Sequence, residues 1–270
     1  MTVLTRGGRS ARLRWRAAGA GLDRARLELS PIGLMVAASM PPDEWQARFL
    51  ASGAHAASTT DIYVNTSRQA GKSTASAALA AWLAWRRRML ILIVSPTLRQ
   101  SVELGVKVRS YLPYLPVRAD TESKLEVALA NGSRIVCLPG KPETVRGYSP
   151  DLIIADEAAW IADELYEALS PARARTGGRL IALSTPGAPE GWFYTGWSSA
   201  GESIERVEVP WTQVSGLSAE VVEAERSLMP EARWRAEFMC EFLRPAGQVF
   251  DTSKLAEMVT HEMPDWMTAA

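Results

Sequence analysis

The chain has 270 residues, enough for one large domain or two small ones around a substantial core. Its 30 basic and 30 acidic side chains cancel, so no overall basic field announces nucleic acid, and nearly all the positive charge is arginine. Cys137 and Cys240 are too far apart to suggest a disulfide framework or zinc spacing; the longest apolar run, Met89 to Val94, is too short to span a bilayer, and the N-terminus lacks the apolar stretch of a signal peptide. The expected location is the cytosol, with no membrane partner.

Residues 1–30 carry Arg6, Arg9, Arg12, Arg14, Arg16, Arg24 and Arg26 among glycine and alanine, with Asp23 and Glu28 opposing. Gly7-Gly8 and Gly19-Ala20-Gly21 resist order, so a flexible solvated leader is expected; a basic arm touching DNA or a partner is the other reading. In Pro41-Pro42-Asp43-Glu44-Trp45-Gln46, Asp43 can cap a short helix that turns Trp45, Phe49 and Leu50 inward. Gln46 then stands ahead of the next motif, where its amide can read the edge of adenine or simply face solvent.

Asp61 to Asn65 reads as a buried strand and Ala75 to Arg88 as an Ala-rich helix. Between them lies Thr66-Ser67-Arg68-Gln69-Ala70-Gly71-Lys72-Ser73-Thr74. Strand, tight loop and helix N-terminus make a phosphate site: backbone N–H groups and the helix dipole face the anion, Lys72 adds a charge, and Ser73 offers a hydroxyl to Mg²⁺. The second half of GxxxxGK[ST] is met, whereas its first glycine is replaced by Thr66.

Leu90 to Ser95 is a second apolar strand, and Pro96-Thr97 starts a helix running to about Leu112. Leu125 to Ala130 and Ser133 to Leu138 flank Asn131-Gly132, a hairpin signal. After the loop Val145 to Pro150, the strand Asp151 to Ala155 runs into Asp156-Glu157; the strand Arg179 to Leu183 runs into Ser184-Thr185-Pro186; Ile204 to Val209 is a further strand. Continuous apolar strands alternating with helices predict an α/β fold with a mostly parallel sheet covered on both faces, whose functional groups gather at the C-terminal strand ends. Adjacent buried acids repel unless each has a partner. With nucleotide present, Asp156 can hold Mg²⁺ beside Ser73, and Glu157 can polarise the water that attacks the γ-phosphate. Ser184 and Thr185 are then positioned to sense that phosphate. A capping role for Asp156-Glu157 on the following helix is the plain structural alternative.

The order Trp45-Gln46, Ser67-Arg68-Gln69-Ala70-Gly71-Lys72-Ser73, Val145-Arg146-Gly147, Ile153 to Ala159 and Leu183-Ser184-Thr185-Pro186 with Gly191-Trp192-Phe193-Tyr194 resembles the large terminase subunit of tailed bacteriophages. The resemblance spans residues 40–250, and the missing first glycine is normal in that family. It implies a P-loop NTPase of the additional-strand, catalytic-glutamate (RecA-like) type that hydrolyses ATP with Mg²⁺ to pump double-stranded DNA into a procapsid. The implied partners are DNA met along its backbone, the portal, the procapsid, a small terminase subunit and other copies of the chain, ring-forming when assembled and monomeric when dilute, in the host cytoplasm. It makes Arg68 an arginine reaching the phosphates in cis. It makes Arg146, eleven residues ahead of Glu157, one inserted into a neighbour's site in trans, and Ser184-Thr185-Pro186 the coupling motif.

On this reading residues 31–210 form the ATPase core, 211–245 a helical lid with Pro230 at a helix start, and 246–270 a linker towards a nuclease domain. The space after the linker cannot hold the metal-binding acids of a nuclease, so DNA cleavage is not expected. Two alternatives share the motifs: a helicase-like ATPase, which needs a second RecA-like domain, and an ATP-dependent assembly switch with slow turnover. Arg86 to Arg88, Arg99, Lys107, Arg109, Arg173 and Arg175 are candidate DNA contacts, each equally able to be a solvated helix end.

Overall fold

Strands that are apolar along their whole length need cover on both faces, and the sheet provides it. The structure, a computed structural model, describes residues 30–55, 60–198 and 204–243; the expected Arg-rich arm before Ser30 and the expected linker 246–270 lie outside them. In chain order the elements are α1 (Pro31–Ala37), α2 (Glu44–Gly53), β1 (Asp61–Thr66), α3 (Lys72–Arg86), β2 (Leu90–Ser95) and α4 (Leu98–Tyr111). Then come β3 (Ala119–Glu122), β4 (Glu126–Leu129), β5 (Arg134–Pro139), α5 (Pro142–Val145) and β6 (Leu152–Asp156). The rest are α6 (Asp163–Ala174), β7 (Arg179–Ser184), α7 (Gly191–Ser198), β8 (Ile204–Val209), α8 (Ala219–Leu228) and α9 (Glu231–Met239).

The eight strands form one sheet in the order β3-β4-β5-β2-β6-β7-β1-β8. All neighbours from β5 to β8 are parallel, and β4 is antiparallel to both β3 and β5. β7 therefore separates β1 from β6, so the strand ending in Ser184 lies between those leading to Lys72 and Asp156. Side chains alternate between two cores: Ile62, Val64, Ile91, Ile93, Ile154 and Ile181 face α1 to α4, while Tyr63, Val94, Ile153, Ala155 and Ala182 face α6 and α7. β3, with the polar sequence Ala-Asp-Thr-Glu, carries no sequence signal for a strand and forms at the sheet edge by pairing with β4.

α3 is buried nearly all round. Ala77, Ala78, Ala80, Ala81 and Ala84 are fully covered, and their small side chains let sheet and neighbouring helices approach closely. Its C-terminus is closed by the β4–β5 turn: Asn131 Nδ2 donates to the Ala84 and Trp85 carbonyls at 2.7 and 3.1 Å, and Ser133 Oγ donates to those of Ala84 and Arg87 at 2.7 and 3.0 Å. Arg86, which is exposed, lies over Trp82 and Trp85, 5.6 and 5.5 Å from their ring centres.

At the N-terminal ends of the strands the polar groups are matched. Arg173 pairs with both Asp61 oxygens at 2.5 and 2.7 Å, Asp61 also accepts from the Leu180 N–H at 2.9 Å, and Asp151 accepts from the Leu90 N–H at 2.7 Å. Arg179 donates to the carbonyls of Thr60 and Gly53 at 2.8 and 3.1 Å. Arg173 is thus a structural cation, not an open DNA contact. At the far end of the chain, α8 and α9 pack on each other through Val222, Trp234 and Phe238, a small core separate from the other two, with Arg226 4.5 Å above the Trp234 ring.

Candidate nucleotide site

The C-terminal ends of β1, β6 and β7 bring together what the sequence keeps up to 118 residues apart. The loop after β1 crosses Gln69 in the left-handed region (φ 61°) and Gly71 (φ 80°), and α3 starts at Lys72, three residues before the apolar run of the sequence suggests. The first-turn N–H groups of α3 thereby open towards the cleft.

Lys72 Nζ lies 2.8 Å from Glu157 Oε1, both largely shielded from solvent, and Ser73 Oγ donates to Asp156 Oδ2 at 3.0 Å. Glu157 is held at φ 58° and ψ 45°, a left-handed conformation costing a non-glycine residue about 1 kcal/mol. From this turn its carboxylate meets Lys72, the first residue of α3. Asp156 is buried, and its Oδ1 has no hydrogen-bond partner among the described residues. Burial pushes the Asp156 carboxyl above the ordinary carboxylate range; Lys72 opposes this, Glu157 adds to it, and the Ser73 hydrogen bond opposes it.

A hydroxyl and a carboxylate on the same spot, with one buried carboxylate oxygen left over, is a donor set that suits Mg²⁺. No group of three or more His, Cys, Asp or Glu able to hold a metal occurs among the described residues, so an ion here would take its remaining ligands from phosphate and water.

Ser184, fully buried, accepts from the Ala159 N–H at 3.2 Å, which joins the end of β7 to the turn behind Glu157; Thr185 follows at the rim. Gln46 is more committed than its sequence suggests. Its Oε1 accepts from the Asp43 N–H at 2.9 Å, and its Nε2 reaches the carbonyls of Ala70 and Gly71, both at 3.4 Å. The amide that could read adenine here props up the phosphate loop.

Two N–H groups of the loop do not face the cleft. Ser67 N–H donates to the Val209 carbonyl at 2.8 Å and Arg68 N–H to the Glu237 carbonyl at 2.7 Å, so the anion-facing donors begin further along, towards Ala70 to Ser73. The Arg68 side chain is 62% exposed and 4.0 Å from Glu237 on α9, not over the phosphate loop. Arg146 follows α5, is exposed, and has no ion pair among the described residues. Sequence reasoning passed over Asn65, whose Nδ2 donates to the Cys240 carbonyl at 2.8 Å; a polar residue directly after the apolar Ile62-Tyr63-Val64 was the signal.

The family model described as terminase large subunit, T4likevirus-type, N-terminal matches residues 63–257. No curated protein matches the chain. Among solved structures, the large terminase ATPase domain of Thermus phage P74-26 superposes with a TM-score of 0.66 at 20% identity, covering 77% of this chain and 96% of that one. The large terminase of a second thermophilic bacteriophage, in complex with ADP, gives 0.64 at 14%, covering 74% of this chain and 54% of that one. That of bacteriophage HK97 gives 0.58 at 17%, with coverage of 74% and 50%. At these identities the likeness is one of fold, and the chain spans about half the length of the latter two proteins. The family match covers most of the chain and the fold agrees with it: this protein belongs to the terminase large subunit family and corresponds to its N-terminal part.

Proposed function

We propose that this domain binds ATP with Mg²⁺ in the cleft between the phosphate loop and the ends of β6 and β7, hydrolyses it, and uses the cycle to drive double-stranded viral DNA into a procapsid. The observation that carries the reading is the meeting of Lys72 with Glu157 at 2.8 Å and of Ser73 with Asp156 at 3.0 Å. Four residues from two strand ends form one cluster with the charges and hydroxyl that phosphoryl transfer needs. The ADP-bound thermophilic phage terminase, also solved with ATP-gamma-S, supports a nucleotide as the ligand.

In this mechanism the N–H groups of Ala70 to Ser73 and the α3 dipole cradle the phosphates. Lys72 exchanges Glu157 for a phosphate oxygen, because a doubly charged phosphate at close range outcompetes one carboxylate. Glu157, released, turns to the attacking water, orienting it and drawing on its proton. Activation of water is then conditional on an occupied site. Ser73 and Asp156 would hold Mg²⁺, which would supply neutralisation of phosphate charge. Gln46 holds the loop in shape, and reading adenine requires it to exchange its loop carbonyls for the base. Ser184 and Thr185 pass the state of the γ-phosphate onward through the Ala159 contact.

Arg146 is assigned to a neighbouring subunit's site: it is exposed, without an ion pair among the described residues, and so free to be inserted elsewhere. Arg68, loosely held at 4.0 Å from Glu237, can swing to the phosphates in cis. Assembly as a ring on the portal, with the small subunit, in the host cytoplasm, is part of this proposal and is supported by membership of the family. A slow ATP-dependent assembly switch is the second reading, favoured by the Lys72–Glu157 pair that keeps the nucleotide-free site silent.

Steady-state ATP turnover per subunit against protein concentration tests the proposal, with Glu157→Ala as the blank. The expected result is a rate that climbs as subunits associate and is stimulated by DNA and portal. A measurable rate that stays flat would transfer the finger role to Arg68, and turnover at the blank level throughout would favour the switch.

A further inference from the structure

The lid helix α9 touches the phosphate loop through main-chain carbonyls, and one buried side chain completes the contact. Asn65 is fully buried at the end of β1, in register with Ser184 on β7 and Glu208 on β8. Its Nδ2 donates to the Cys240 carbonyl at 2.8 Å, while its Oδ1 has no partner among the described residues. Three residues on, the Arg68 N–H donates to the Glu237 carbonyl at 2.7 Å. The final carbonyls of a helix lack intrahelical donors. Here Glu237 in the last turn of α9 and its cap residue Cys240 receive theirs from the entrance of the phosphate loop. Cys240 is held at φ 62°, strained for a residue with a side chain, in the conformation that presents its carbonyl to Asn65. The chain leaving α9 then runs to the coupling loop, where the Leu243 N–H donates to the Gly187 carbonyl at 2.9 Å.

The geometry points to Asn65 as a positioning residue that ties the phosphate loop to α9, so that nucleotide occupancy and the seating of α9 are one equilibrium. The inference rests on the nucleotide reading of the site above. α9 and α8 share a small core of their own; beyond the packing of Phe242 on Phe193 and Tyr194, the bonds from Asn65 and Arg68 join the C-terminal end of α9 to the phosphate loop. A phosphate that draws the Ala70 to Ser73 peptides towards itself shifts the Arg68 peptide on the same loop, and with it the acceptor on Glu237. Asn65 does not move with the loop. It belongs to the sheet, and it gives α9 a fixed point about which to reseat.

Hydrogen exchange over Glu231–Met239 in the full chain, with and without ATP·Mg²⁺, tests this in the wild type and in Asn65→Asp, which keeps the size and loses the donor. In the wild type, ATP is expected to change the protection of α9. In Asn65→Asp, opening of α9 is expected to rise roughly 10-fold, the effect of one lost buried hydrogen bond, and the response to ATP to disappear, while a fluorescent ATP analogue still binds. An Asn65 that is only structural would raise exchange equally with and without ATP and leave the response intact, which overturns the inference. Should Asn65→Asp not fold, the wild type still decides: α9 protection indifferent to bound ATP sinks it. Absence of analogue binding in the wild type would instead defeat the nucleotide reading, and this inference with it.

Discussion

The two ends of the same parallel strands are chemically opposite. At the N-terminal ends Asp61, Asp151, Arg173 and Arg179 are matched by ion pairs and backbone partners. At the C-terminal ends polar atoms are buried without partners: Asn65 Oδ1, Thr66 Oγ1, Ser67 Oγ, Ser95 Oγ and Asp156 Oδ1, all but two of the buried orphan side-chain atoms among the described residues. Unsatisfied buried groups cost stability. One end of the sheet therefore holds the fold together, and the other is where the proposed nucleotide would meet buried polar atoms that lack partners among the described residues.

Four substitutions probe the contrast. The largest effect is expected for Arg146→Ala, roughly 10³-fold or more on turnover of the assembled ring, with no change in ATP affinity of the dilute monomer. Lost affinity in the monomer would give Arg146 a role within its own subunit. Glu157→Gln comes next, with turnover down roughly 10²- to 10⁴-fold and ATP still bound; phosphate release at the wild-type rate would remove Glu157 from the chemistry.

Arg173→Ala, at the matched end, should act on stability alone. Breaking the pair leaves Asp61 uncompensated and costs ~3 kcal/mol, read by thermal unfolding, with turnover per folded molecule unchanged. A large loss of turnover without loss of stability would mean that the two ends are not separable. Asp156→Asn should shift stability less than Arg173→Ala does, and in the opposite sense, whatever it does to turnover. The folded carboxyl sits above its unfolded value because of burial, so its stabilising balance is best below the unfolded value and worsens as pH rises through the folded one. The neutral amide should therefore raise the unfolding temperature at neutral pH, and the advantage should shrink on acidification towards the ordinary carboxylate range. A variant less stable than wild type at neutral pH would contradict the burial account.

How far the site could be read from the sequence follows from the range of the forces involved. Gly71-Lys72-Ser73, Asp156-Glu157 and Ser184 were legible because each follows a continuous apolar strand, and parallel strands must deliver their ends to one edge. The commitments of individual side chains were not. Asn65 and Cys240 are 175 positions apart, and nothing local says that a cysteine will turn left-handed to meet an asparagine. The resemblance makes Arg68 an arginine that reaches the phosphates, but nothing local to it foretells that its main-chain N–H is tied to Glu237 on α9. β3 forms through pairing with β4, not through propensity. The pairing of Asp61 with Arg173, likewise, turns a candidate DNA contact into a brace between β1 and α6.

The closure of α3 at both ends has a mechanical consequence. Its 15 residues make a rod roughly 22 Å long, begun by the phosphate loop and capped by the hairpin turn at Asn131 and Ser133. A rod gripped at each end cannot slide along its axis, or fray, without breaking hydrogen bonds at one grip or the other. Displacing the phosphate loop along that axis therefore loads the hydrogen bonds that Asn131 and Ser133 make at the other end of the helix.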